Sequence, residues 1–191
     1  MMLLPLLTLA LAPSPWQGQN DSMTGVEPGT SNFNYTYGQL DICLVDADFP
    51  GSDSELGVQF LGSFRAWRDL FVRASYLDSG GDADLSLLKV GAGWAVPIQT
   101  DLDVYGLFSV AHTEVGSGDD TGWALEGGVR YMANEKFELN GLLEVVDLED
   151  TEFGLGVGGR YYFNDRLSGG LNYETISDFV DIFYVGVRYQ F

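Results

Sequence analysis

Twelve ionisable side chains in this sequence share one kind of position. Arg65, Arg73, Lys89, Arg130, Arg160 and Arg188 supply six positive charges, and Asp41, Asp103, Glu126, Glu138, Glu144 and Glu174 supply six negative ones. Each falls on the polar side of a segment whose residues alternate apolar and polar with a period of two. Charges gathered on one face in equal number can pair as a buried salt-bridge network, or they can line a narrow path for ions and small solutes. The arginines lie nearer the short turns, with Asp103 and Glu138, whereas Lys89, Glu126, Glu144 and Glu174 lie deeper. Tyr105, Tyr162, Tyr184 and Trp67 are assigned to the same side, and such bulk favours a filled interior over an open one.

Other candidate chemistry is sparse. His112 is the single histidine and stands two residues before Glu114, so the two share a strand face; with no serine on that face, a hydrolase pair is the weaker reading. The acidic stretches 78–84 (DSGGDAD) and 116–120 (GSGDD) offer carboxylate oxygens but lack the spacing of a calcium loop, and such stretches are usually solvated turns. No metal, cofactor or catalytic residue is expected. Cys43 cannot form an internal disulfide and reads as a small packing residue. With 9 Lys and Arg against 28 acids and a net charge of −19, the chain lacks the basic clusters that nucleic-acid phosphates require.

The elements that carry these residues are strands. Ten alternating segments are predicted at 35–45, 56–67, 70–77, 85–96, 102–113, 122–132, 137–146, 153–163, 167–177 and 182–191. In the eighth, Phe153, Leu155, Val157, Tyr161 and Phe163 alternate with Gly154, Gly156, Gly158, Arg160 and Tyr162. No segment keeps a helical period. Short connections (68–69, 97–101, 133–136, 164–166) alternate with acidic ones (46–55, 78–84, 114–121, 147–152, 178–181). The three remaining basic residues, Arg68, Lys136 and Arg166, fall in the short connections, so the acidic end carries no Lys or Arg. Residues 1–12, an apolar run ending Ala10-Leu11-Ala12, read as a signal peptide although no basic residue precedes the run. Residues 13–32, rich in Pro, Gly, Ser and Asn, read as a flexible tail, and 33–191 as one domain.

Strands of this kind suit either of two inside-out barrels. A soluble barrel would bury the apolar face, and a membrane barrel would expose it to lipid. In a membrane each Arg or Lys facing lipid near the midplane costs about 2–4 kcal/mol, so the charged face must be the lumen. Phe64, Tyr131, Phe137, Tyr161, Phe163, Tyr189 and Phe191 cluster beside the short turns, where an interfacial aromatic girdle belongs. The last strand, YVGVRYQF, ends on an aromatic residue. This pattern resembles the small bacterial outer-membrane barrel proteins of the OmpX and opacity type, although those have eight strands. The expected fold is therefore all-β, an antiparallel up-and-down transmembrane β-barrel of ten strands, with eight as the alternative. The resemblance implies the cell outer membrane, contact with lipid and lipopolysaccharide, and recognition of Tyr189 and Phe191 by the barrel-assembly machinery. It implies a structural or surface role (envelope integrity, acidic surface, adhesion). A narrow channel is the alternative, and a rim hydrolase the less favoured one.

Overall fold

The computed structural model describes residues 31–47, 54–80, 85–115, 118–176 and 180–191. The signal peptide and most of the expected tail lie outside the described residues, as do 48–53, 81–84, 116–117 and 177–179 within the acidic stretches.

Ten strands form: β1 Tyr37–Ala47, β2 Glu55–Trp67, β3 Leu70–Ser79, β4 Leu85–Gln99, β5 Leu102–Val115, β6 Gly118–Asn134, β7 Phe137–Asp147, β8 Thr151–Tyr162, β9 Leu167–Ile176 and β10 Val180–Gln190. Each pairs antiparallel with its sequence neighbour, and β1 pairs with β10 from Tyr37↔Gln190 to Ala47↔Val180, which closes the sheet. Closure leaves no unpaired strand edge, so the backbone hydrogen bonds are satisfied inside the sheet. The ten-strand expectation holds and the eight-strand alternative does not.

Alternation sorts the side chains as the sequence implies. Leu40, Ile42, Phe60, Val90, Phe108, Val110, Leu125, Leu143, Val157, Leu171 and Val185 all point outward and are exposed. The aromatic girdle is also on the outside, where Tyr161 and Phe163 meet edge to face at 5.5 Å, as do Tyr189 and Phe191 at 5.2 Å. Several strand ends, and one side-chain direction, differ from expectation. The acidic connections are shorter than read, because β5 and β6 run through Glu114, Asp119 and Asp120. Those acids belong to a long hairpin, not to a loop. Trp67 does not point inward and is 72% exposed. A bulge between Arg65 and Trp67 shifts the register there, and one extra residue reverses the facing of the side chains after it.

The short turns have visible chemistry. The Asn134 side-chain carbonyl accepts from the Lys136 amide at 2.9 Å, and that of Asn164 accepts from the Arg166 and Leu167 amides, both at 2.9 Å. These are Asx turns, in which the side chain replaces a backbone acceptor. Arg68 adopts φ 40 between β2 and β3, a left-handed conformation of the kind a tight turn demands.

The largest departure is at the amino-terminal end of the barrel domain. β1 starts at Tyr37 and not at residue 35, and residues 31–36 cross the short-turn end with Phe33 and Tyr35 entering the lumen. Phe33 and Tyr35 are each 3% exposed and pack with Phe71, Ala95 and Leu107. A second apolar cluster, Cys43, Val45, Leu77, Ile182 and Tyr184, lines the lumen wall toward the opposite end, so Cys43 is the packing residue it was taken for. The charged face lies between these two clusters.

Candidate functional site

All twelve of the charged residues picked out from the sequence face the lumen, but the partners they choose were not evident. Glu126 on β6 and Glu144 on β7 stand directly opposite one another in the sheet. Like charges in that position repel, so each needs its own cation. The cations come from across the barrel. Arg73 on β3 forms a two-pronged pair with Glu126, and Lys89 on β4 reaches Glu144 at 2.7 and 2.9 Å. The Tyr105 hydroxyl donates to Glu126 at 2.6 Å. Its ring lies over Gly128, the residue opposite it on β6, where a Cβ would fall 2.3 Å from the ring. A glycine at that inward position makes room for the aromatic ring that secures Glu126.

Nearer the short turns, Arg130 grips Glu138 with two N–H groups at 2.8 and 2.9 Å, and the Tyr162 hydroxyl donates to the same carboxylate. Asp103 accepts from Ser31 at 2.5 Å and from the Tyr35 hydroxyl at 3.2 Å, so its partners come from the inserted segment. Arg65 donates to the Phe33 carbonyl at 3.1 Å and Arg130 to the Asn34 carbonyl at 3.4 Å. The Arg130 guanidinium also stacks over the Phe33 ring at 4.6 Å. Residues 31–36 are thus tied to β2, β5 and β6 by groups the barrel already carries. Local bonds stiffen the segment: Ser31 Oγ accepts from the Phe33 amide at 3.0 Å, and Asn34 Oδ1 accepts from the Thr36 amide at 2.7 Å.

Three of the four remaining lumen charges depend on Gln39. Its amide nitrogen donates to Asp41 at 2.7 Å, while its carbonyl oxygen accepts from Arg160 at 3.0 Å and from Arg188 at 2.8 Å. Glu174 accepts from the Tyr184 hydroxyl at 3.3 Å. Gln39, Tyr105 and Tyr162 were legible as inward residues from alternation, but nothing in the sequence marked them as the connectors. Ser31, Phe33 and Tyr35 carried no signal beyond a weak alternation at the head of β1. Above the inserted segment lies a cavity of about 130 Å³, lined by Gln59, Leu61, Arg73, Lys89, Asn140 and Arg188 among others.

His112 points outward near the acidic rim. Its Nδ1 lies 2.7 Å from Thr121 Oγ1 and its Nε2 3.6 Å from Glu114. Thr121 was missed because it belongs to the neighbouring strand. The rim acids Asp46, Asp78, Glu114, Asp119, Glu149, Asp150 and Asp181 are exposed, and no Lys or Arg stands among them in the described residues. Among those residues no group of His, Cys, Asp and Glu is arranged to hold a metal.

A charge-lined lumen inside an apolar belt is the arrangement of a membrane barrel, and the sequence matches the family model for the outer membrane protein beta-barrel domain over residues 2–153. The chain belongs to that family. The match ends within β8, and the fold carries the outer membrane barrel on to β10. No curated protein matches the sequence. Among solved structures, the KdgM porin is similar at 13% identity with a TM-score of 0.51, covering 80% of this chain and 99% of the porin. The NanC porin gives 9% identity and a TM-score of 0.49, covering 80% and 100%. The outer membrane protein Ail of Yersinia pestis gives 15% and 0.44, covering 82% and 99%. At 13% identity the likeness to the KdgM porin is one of fold. The protein is an outer-membrane β-barrel.

Proposed function

We propose that this barrel has a closed lumen and a structural or surface role, holding an acidic rim outside the outer membrane. The observation that carries this reading is the insertion of residues 31–36, whose Phe33 and Tyr35 fill the short-turn mouth. The cross-barrel pairs add to it, because Arg73 and Lys89 span the space that a solute would use. The rim has the charge to bridge through divalent cations to lipopolysaccharide phosphates, and it has no base with which to bind them directly. The belt contacts lipid, and the assembly machinery reads Tyr189 and Phe191 during biogenesis. Removing the protein from its native cells is expected to increase sensitivity to detergent and to chelation of divalent cations. Restoration by the wild type, and failure of a variant in which Asp119, Asp120, Glu149 and Asp150 are amides, supports the reading. Unchanged sensitivity on removal contradicts it.

A second reading, a narrow channel, is supported by the polar lining and by the cavity above the inserted segment. In that case residues 31–36 act as a stopper, and conduction depends on their leaving. Catalysis is not part of the proposal: the His112 cluster sits on an exposed outer face. His112→Ala is expected to leave hydrolysis of lipids and peptides by purified outer membranes unchanged, and a loss on substitution would reinstate the hydrolase reading.

A further inference from the structure

Three of the lumen cations have a carboxylate at ion-pair distance: Arg73, Lys89 and Arg130. Arg160 and Arg188 have none among the described residues, although they are only 2% and 9% exposed. Both donate to one neutral oxygen, Gln39 Oε1, and so stand side by side. Arg188 is fixed in plane by the Tyr37 ring, 3.8 Å below its guanidinium carbon, and Arg160 makes one further long bond, at 3.4 Å, to Ser168. Each keeps a buried N–H group without a partner, Nε of Arg160 and Nη1 of Arg188. Arg188 also lines the lumen cavity.

Two adjacent buried cations sharing one amide oxygen are expensive unless a negative charge offsets them. Arg73, read from the sequence as a short-turn residue, is engaged by the deeper Glu126, so the short-turn half of the lumen holds Arg65, Arg130, Arg160 and Arg188 against Asp41, Asp103 and Glu138, an excess of one positive charge. Asp41 is the nearest acid by bonding, but one of its oxygens accepts from Gln39 at 2.7 Å, the other is buried without a hydrogen-bond partner, and neither bonds to an arginine. A water molecule could accept the free N–H groups yet would add no charge. We infer that Arg160 and Arg188 hold one small oxyanion, a carboxylate or phosphate group, admitted from the lumen cavity. Guanidinium edges suit this ligand because their N–H groups match paired oxygens. The anion serves as a counter-ion that completes the network, whether the lumen is closed or conducting.

The test is the thermal unfolding of the detergent-folded protein in sodium formate or phosphate, against sodium gluconate of equal ionic strength and pH. A ligand that binds only the folded state raises the midpoint by about 3–6 °C for each tenfold rise in concentration above its dissociation constant. The rise is expected with formate and phosphate and not with bulky gluconate. It should vanish in Arg188→Gln and persist in Arg65→Gln, whose guanidinium is partly exposed at the mouth. Equal midpoints in all three salts, or a rise retained in Arg188→Gln, would overturn the inference. Should Arg188→Gln fail to fold, selenate-soaked crystals of the wild type decide the matter: anomalous density between Arg160 and Arg188 supports the site, and its absence there refutes it.

Discussion

Glu138 accepts three hydrogen bonds from two residues while 1% of its surface reaches solvent. Removing such an acceptor leaves Arg130 buried without its counter-charge, a loss that typically costs about 3–5 kcal/mol. Glu138→Ala is therefore expected to lower the urea midpoint of the folded protein strongly. The double variant Arg130→Met, Glu138→Leu should recover most of that loss, since it removes both charges together. Equal midpoints for Glu138→Ala and the wild type would show that the pair is solvated. Tyr105→Phe removes a single hydrogen bond to a charged acceptor and should cost about 1.5–3 kcal/mol in the same titration. The faces of these residues were legible in the sequence, because a period of two assigns a side whatever the context. Their partners were not. Arg73 meets Glu126 across the lumen, and that meeting depends on how the strands are staggered when the sheet closes, which no local pattern encodes.

At the level of elements, the fold was legible where alternation runs long and poorly legible where it breaks. β8 and β10 could be read residue by residue. At the end of β2 the bulge after Arg65 turned Trp67 outward against its parity, and at the amino-terminal end the residues before β1 cross the short-turn mouth, with Phe33 and Tyr35 buried in the lumen. Their reason is tertiary: Phe33 and Tyr35 gain an apolar pocket, and Asp103, Arg65 and Arg130 gain acceptors or donors they would otherwise lack. Strand β10 allows a separate test. Phe191 is 77% exposed and makes little use of the barrel's interior. Phe191→Ala is expected to reduce the amount of protein reaching the outer membrane while leaving the unfolding free energy of folded material within about 0.5 kcal/mol of wild type. Normal assembly of the variant, measured by fractionation, would show that the terminal ring is not read.

For the whole molecule, charge is sorted along the barrel axis. The rim is acidic, the deeper lumen holds Arg73 and Lys89 against Glu126, Glu144 and Glu174, and the short-turn half holds the arginine excess. The sequence disclosed the acidic end through its lack of Lys and Arg, and it disclosed the lumen through the cost of turning six cations toward lipid. It did not disclose whether the lumen is shut, because that depends on where residues 31–36 go. The most direct test is single-channel recording of the folded protein in a planar bilayer, beside a Phe33→Ala, Tyr35→Ala variant shown to be folded. A silent wild type and a variant with discrete conductance steps are expected if the inserted segment seals the mouth. Reproducible steps from the wild type at the same conductance as the variant would contradict a closed lumen.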